Sequence, residues 1–214
     1  MVDFTKICKI YIIESQNPND ILNNRTEGKA LSAGLDLAGI ANQYFQVIDN
    51  ECFDKCIEII CEDINRLKKE GLVAPYIHIS AHGNESGIGL TSGEFLEWDS
   101  LTLKADRINE LTGKIQPDPK NPHIEISPIN YCFSTCQGYN AFKMQGDIKE
   151  NKFSSIIGPA APVDWSDSLL AFMTLYHQIF YKRQKAVTAV EIMNMSAGLD
   201  NIFRIAMGFG LVLK

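Results

Sequence analysis

Apolar and polar positions change rhythm in blocks along the chain, and each block predicts an element. "ICKIYIIES" (7–15) is apolar and β-branched, a first strand. "QNPNDILNNRTEG" (16–28) crowds Asn, Asp, Pro and Gly together and predicts a loop. Residues 28–43 predict a helix and 44–50 a short strand. Over 50–71, Phe53, Cys56, Ile57, Ile60 and Ile64 make one apolar stripe at helical spacing. Basic residues fill that helix's last turn and Gly71 lies just past it. "PYIHISAHG" (75–83) predicts a third strand that ends on His82-Gly83. A hairpin around Ser92-Gly93 follows (87–98). Next come a helix capped by Asp99 or Ser100 (99–114), a loop (115–122), and a stretch that contains the fourth strand (123–135). Residues 139–152 are helix-like, 153–162 a fifth strand, 166–182 and 186–198 helices, and 203–213 a last apolar strand.

Strands alternating with helices of this length predict an α/β fold, with a mostly parallel central sheet and helices on both faces. There is no internal repeat, low-complexity segment or second boundary, so residues 1–214 read as one domain. In such sheets the working site lies beyond the carboxyl ends of the strands. The third strand ends at His82, and the next core strand ends near "CFSTCQG".

Composition narrows the function. Hydrophobic residues are 45% and charged residues 21%, ordinary globular values. A net charge of −6 argues against a nucleic-acid binder held by phosphate contacts. No apolar run is long enough to span a membrane. The start lacks a basic segment ahead of a long apolar one, so no signal peptide is read and the expected location is cytoplasmic. The six cysteines, Cys8, Cys52, Cys56, Cys61, Cys132 and Cys136, are then expected to be reduced. "CFDKCIEIIC" could be taken for metal ligands, but cysteines on an apolar stripe pack as small hydrophobes, and no metal is expected there.

The candidate chemistry is a thiol and an imidazole. A thiol becomes a strong nucleophile when a base takes its proton or a cation holds the thiolate. His82 and Cys136 are 54 positions apart, a separation that suits one crossover between neighbouring parallel strands. Backbone N–H groups at Gly83 and at Cys136 could form an oxyanion hole, and Gly83 lets a carbonyl approach without a side chain in the way. His78 reads as structural, His123 as a surface residue and His177 as the polar edge of a late helix.

An apolar strand ending in Ser-x-His-Gly, then about 50 residues on a strand ending in Cys-x-Gly, resembles the caspase-like cysteine peptidases. Here the second stretch is Ser134-Thr135-Cys136-Gln137-Gly138. "GIGLTSGEFLEWDSL" and "IIGPAAPVDWSDSLLAFMTLYHQI" resemble the CHAT-type prokaryotic branch more than the animal caspases. The resemblance runs over residues 7 to 213. It implies a caspase-like three-layer sandwich and a cysteine endopeptidase acting on protein or peptide substrates, with no metal or organic cofactor. Prokaryotic relatives are often switched on by a partner protein or a small signalling ligand, in defence or cell-death pathways. "NYCFS" also resembles a family form that would make Cys132 the nucleophile. That register would put Pro128 inside a central strand, where it loses a ladder hydrogen bond, so Cys136 is favoured. Family analogy offers Arg25 as a binder of an acidic P1 side chain, and Asp164 or Asp167 as binders of a basic one. The bland alternatives are a solvated loop arginine and a helix cap.

Three rivals remain. The first is a catalytically inactive caspase fold serving as an interaction module. The second is a flavodoxin-like binder, which would want a glycine-rich loop after the first strand; the loop here is Asn-rich. The third is a redox pair of Cys132 and Cys136. On an extended strand these would stand about 13 Å apart, too far for a disulfide.

Overall fold

A computed structural model describes residues 8–71, 74–115, 125–145 and 152–208. Strand β1 (Ile10–Ser15) is buried throughout. The segment predicted as loop holds a short helix, α1 (Pro18–Leu22): Asn17 caps it, its side chain accepting from the Asp20 N–H, and Pro18 occupies the first turn, where its missing N–H costs nothing. Helix α2 (Glu27–Leu37) stops short of the predicted end, because Gly39 turns the chain at φ 66° and frees residues 42–46 for β2 (Asn42–Gln46). Helix α3 (Asn50–Lys68) buries the predicted stripe of Phe53, Cys56, Ile57, Ile60 and Ile64.

Strand β3 (Tyr76–Asn84) does not end at His82 as expected. It pairs in parallel with its sheet neighbours up to Ala81, then continues through His82–Asn84 as the antiparallel partner of β4 (Gly87–Gly89). Strand β5 (Phe95–Glu97) completes the predicted hairpin. Helix α4 (Trp98–Thr112) begins earlier than predicted; Glu97 stands at its N-cap, not Asp99 or Ser100, and makes no side-chain cap bond.

Strand β6 (Asn130–Ser134) starts after Pro128, as the proline requires. The helix-like stretch after it is a 3-10 segment, Gly138–Gln145. Then come β7 (Ser155–Pro159), α5 (Trp165–Phe180), α6 (Ala186–Ser196) and β8 (Phe203–Met207). Most of the predicted 115–122 loop, His123, and the ends of the predicted 139–152 and 203–213 elements lie outside the described residues.

The main sheet runs β2-β1-β3-β6-β7-β8, parallel except for β8 beside β7, with the β4–β5 hairpin attached to β3. Side chains alternate across it. Tyr11, Ile13, Ile77, Ile79, Tyr131 and Phe133 meet α3 and α4 on one face. Ile10, Ile12, Tyr76, Cys132 and Ile157 meet α2, α5 and α6 on the other. Burying both faces requires apolar residues at nearly every strand position. Polar exceptions, Glu14, His78, Ser80 and Ser134, are buried on the α2/α5/α6 face toward the carboxyl ends of β1, β3 and β6. No helix among the described residues is long and apolar enough to cross a membrane.

Candidate active site

Strands β3 and β6 bring His82 and Cys136 together by register. Ser80 faces Ser134 across the parallel pair. Two residues farther along each chain stand His82 and Cys136, and both line one cleft of about 360 Å³. Asn17, Asp20 and Arg25 border the cleft from the β1 side, Val163, Asp164 and Trp165 from the start of α5, and Ser134, Thr135 and Ser168 from below.

Cys136 is presented by a tight turn. The Gly138 N–H donates to the Thr135 carbonyl at 2.9 Å, making Cys136 and Gln137 the central residues. Gln137 sits at φ 57°, a left-handed conformation uncommon for a side chain of its size. Gly138 is required by crowding, since a Cβ there would come within 2.7 Å of Phe133 Cβ and 2.8 Å of Thr135 Cγ2. The glycine of the Cys-Gln-Gly stretch therefore has a packing reason beside the stretch's resemblance to a peptidase signature.

Gly83 lies against the same turn. A Cβ on it would overlap Thr135 Oγ1 and stand 2.8 Å from the Gly87 carbonyl oxygen and 3.4 Å from that of Cys136. Thr135 Oγ1 is buried at the cleft and has no hydrogen-bond partner among the described residues.

The two cysteines of this region differ in environment. Cys132 is fully buried among apolar groups. That burial pushes its thiol up to about 12, against an opposing hydrogen bond from Tyr176. Cys136 is half-buried in the cleft, its Sγ 3.9 Å from the Val163 carbonyl.

His82 is half-exposed, and Trp165 meets it edge-on with ring centroids 5.2 Å apart. Its Nε2 lies 2.5 Å from Asp20 Oδ2 and 2.8 Å from Asn17 Nδ2. Composition predicts a loop where α1 forms, so Asp20 does not stand out in the sequence. The signal was present in "NPND": Asn as cap, Pro in the first turn, and the Asp three residues after the cap turned inward.

Arg25 stands at the rim, 63% exposed, its guanidinium 3.9 Å from Asp20 Oδ1. Asp164 occupies the N-cap position of α5 without a side-chain cap bond and faces the cleft; Asp167 sits in the first turn outside the lining residues. Of the three P1 candidates the cleft thus carries Arg25 and Asp164, beside the carboxylate of Asp20.

His78, read as structural, is fully buried beneath the site with Nδ1 2.9 Å from the Tyr176 hydroxyl. His177 is exposed and stacks on Tyr181. Among the described residues no group of three or more His, Cys, Asp or Glu side chains could hold a metal ion. No protein-family model and no curated protein matches the chain.

Proposed function

We propose that the chain is a cysteine endopeptidase of the caspase-like kind, nearest to the CHAT-type branch, with Cys136 as nucleophile and His82 as proton carrier. One observation carries the reading: His82 and Cys136 stand in one cleft at the carboxyl ends of adjacent parallel strands, the placement expected of a working site in such a sheet. The α/β architecture and the resemblance in the order of motifs support it.

In this mechanism His82 takes the thiol proton, the thiolate attacks the scissile carbonyl, and the imidazolium returns its proton to the leaving amine. Backbone N–H groups of Gly83 and Cys136 are the proposed oxyanion donors. Arg25 and Asp164 are the proposed contacts for a charged P1 side chain, acidic or basic respectively. The proposed setting is the cytoplasm, with a partner protein or small signalling ligand as activator in a defence or cell-death response.

The test is covalent labelling with electrophilic peptide probes bearing acidic or basic P1 residues, read by mass spectrometry with and without lysate of the source organism. Labelling at Cys136 that disappears in Cys136→Ala and His82→Ala, and persists in Cys132→Ala, is the expected result. Labelling that follows Cys132 would keep the enzyme class and move the nucleophile. Absence of histidine-dependent labelling under all conditions would leave a caspase-like fold that acts as an interaction module.

A further inference from the structure

Two groups compete for one nitrogen of His82. Asp20 Oδ2 lies 2.5 Å from Nε2, and Asn17 Nδ2 lies 2.8 Å from the same atom. A carboxylate needs a proton on Nε2, while an amide NH2 needs a lone pair there, so both bonds cannot form at once. Asn17 cannot resolve the conflict by flipping its amide, because its Oδ1 already accepts the Asp20 N–H at 2.8 Å. The Asp20 contact is shorter and charge-assisted, and Asp20 has only 5% of its side chain exposed, so little water competes for it. It is the one buried residue of α1.

We infer that Asp20 is a positioning residue that holds the proton of His82 on Nε2 and so leaves Nδ1 as the basic nitrogen for the Cys136 thiol. The inference rests on the peptidase reading for its catalytic meaning, but the tautomer itself is a property of the resting protein. In the proposed step the S–H bond breaks, its electron pair stays on sulfur, and the proton goes to Nδ1. Asp20 stays a carboxylate throughout and faces the resulting imidazolium. Arg25, 3.9 Å from Asp20 Oδ1, and Asp164 are the other charged groups among the described residues that line this space. A salt bridge seen on its own would say little. Here the buried acid, the capping asparagine that fixes its backbone, and the rejected amide bond together select one ring nitrogen.

The experiment is nitrogen-15 NMR of the full chain with labelled histidine, followed through the pH range over which imidazoles lose their proton. The His82 signal is assigned by its loss in His82→Gln. Wild type is expected to show the Nε2–H tautomer as the neutral form, and Asp20→Asn a mixed or inverted population. Asn17→Ser, which keeps a capping oxygen and removes the amide, is expected to keep the Nε2–H signature. An Nδ1–H tautomer in wild type, or a spectrum unchanged in Asp20→Asn, would overturn the inference; should Asp20→Asn not fold, the wild-type tautomer decides alone. Labelling of Cys136 is measured on the same samples, where Asp20→Asn is expected to lower the rate by about 100-fold or more. Wild-type protein with the expected tautomer but no labelling would sink the peptidase reading while leaving the Asp20 assignment standing.

Discussion

Ser80 and Ser134 are partners in parallel register, and the chain on either side continues to His82 and Cys136. The site depends on the two segments staying this close after the ladder ends. Gly83 is where they touch, with no room for a methyl group between it and the Thr135 side chain. Gly83→Ala is therefore expected to cost about 1–3 kcal/mol, as overpacking does, and to reduce labelling of Cys136. Urea denaturation measures the first and probe labelling the second. Full stability in Gly83→Ala would mean that the turn carrying Cys136 moves freely.

Buried thiols give the protein an alkaline weakness. Burial pushes Cys8 up to about 11 and Cys56 and Cys132 up to about 12. An unfolded thiol loses its proton near about 8.5. Above that pH the unfolded chain binds fewer protons than the native one, so stability falls as pH rises until the native thiols ionise in turn. Below about 8.5 the contribution is complete. Between about pH 8 and about pH 10 each such thiol should cost roughly 1–2 kcal/mol. Denaturation curves at the two pH values test this, and Cys132→Ala should flatten the dependence by one thiol's share, whatever cavity it opens. Alkylation of the native protein should spare Cys132 over the same range.

Periodicity made the sheet readable, because an apolar strand or a stripe at helical spacing is set by burial alone. It was less able to locate ends and short elements. Gly39 shortens α2, and the pairing with β4 carries β3 past His82; both are tertiary effects on local propensity. The candidate site was legible in part for the same reason. His78, Ser80 and His82 alternate within an apolar strand, which points a polar row to one face. Choosing Cys136 over Cys132 depended on Pro128, a backbone argument that needs no contacts. Asp20 was missed because five residues with one inward side chain leave almost no periodic trace.

Gln137 stores strain where Cys136 is displayed. At φ 57° its Cβ crowds the backbone, a cost of about 1–2 kcal/mol that a β-branched residue pays in full and glycine avoids. Gln137→Gly is expected to be at least as stable as wild type, and Gln137→Val less stable than Gln137→Gly by about 1–2 kcal/mol. Thermal or urea unfolding of the pair provides the comparison. Equal stability of the two variants would show that residue 137 is not held in the left-handed region in solution.

Tyr176 supports the floor beneath the site. Its hydroxyl lies 2.9 Å from Nδ1 of His78, and both residues are wholly buried. On the other side of that ring, Nε2 faces Glu27 Oε2 at 3.8 Å, and among the described residues neither oxygen of Glu27 nor the Ser80 hydroxyl has a hydrogen-bond partner. The cluster is therefore already under-satisfied, and the Tyr176 hydroxyl is the hydrogen-bond partner of the His78 ring, whose loss in a low-dielectric interior is costly. Tyr176→Phe keeps the ring that packs against Phe172 and Phe180 but strips Nδ1 of its partner. The expected loss is about 1–3 kcal/mol, the cost of leaving a buried polar atom unmade, with little change in Cys136 labelling because the cleft residues are untouched. His78→Phe in the Tyr176→Phe background should return part of that loss, since it removes the orphaned nitrogen along with its partner. A double variant no better than Tyr176→Phe would instead place the hydroxyl's value in its bond to Cys132.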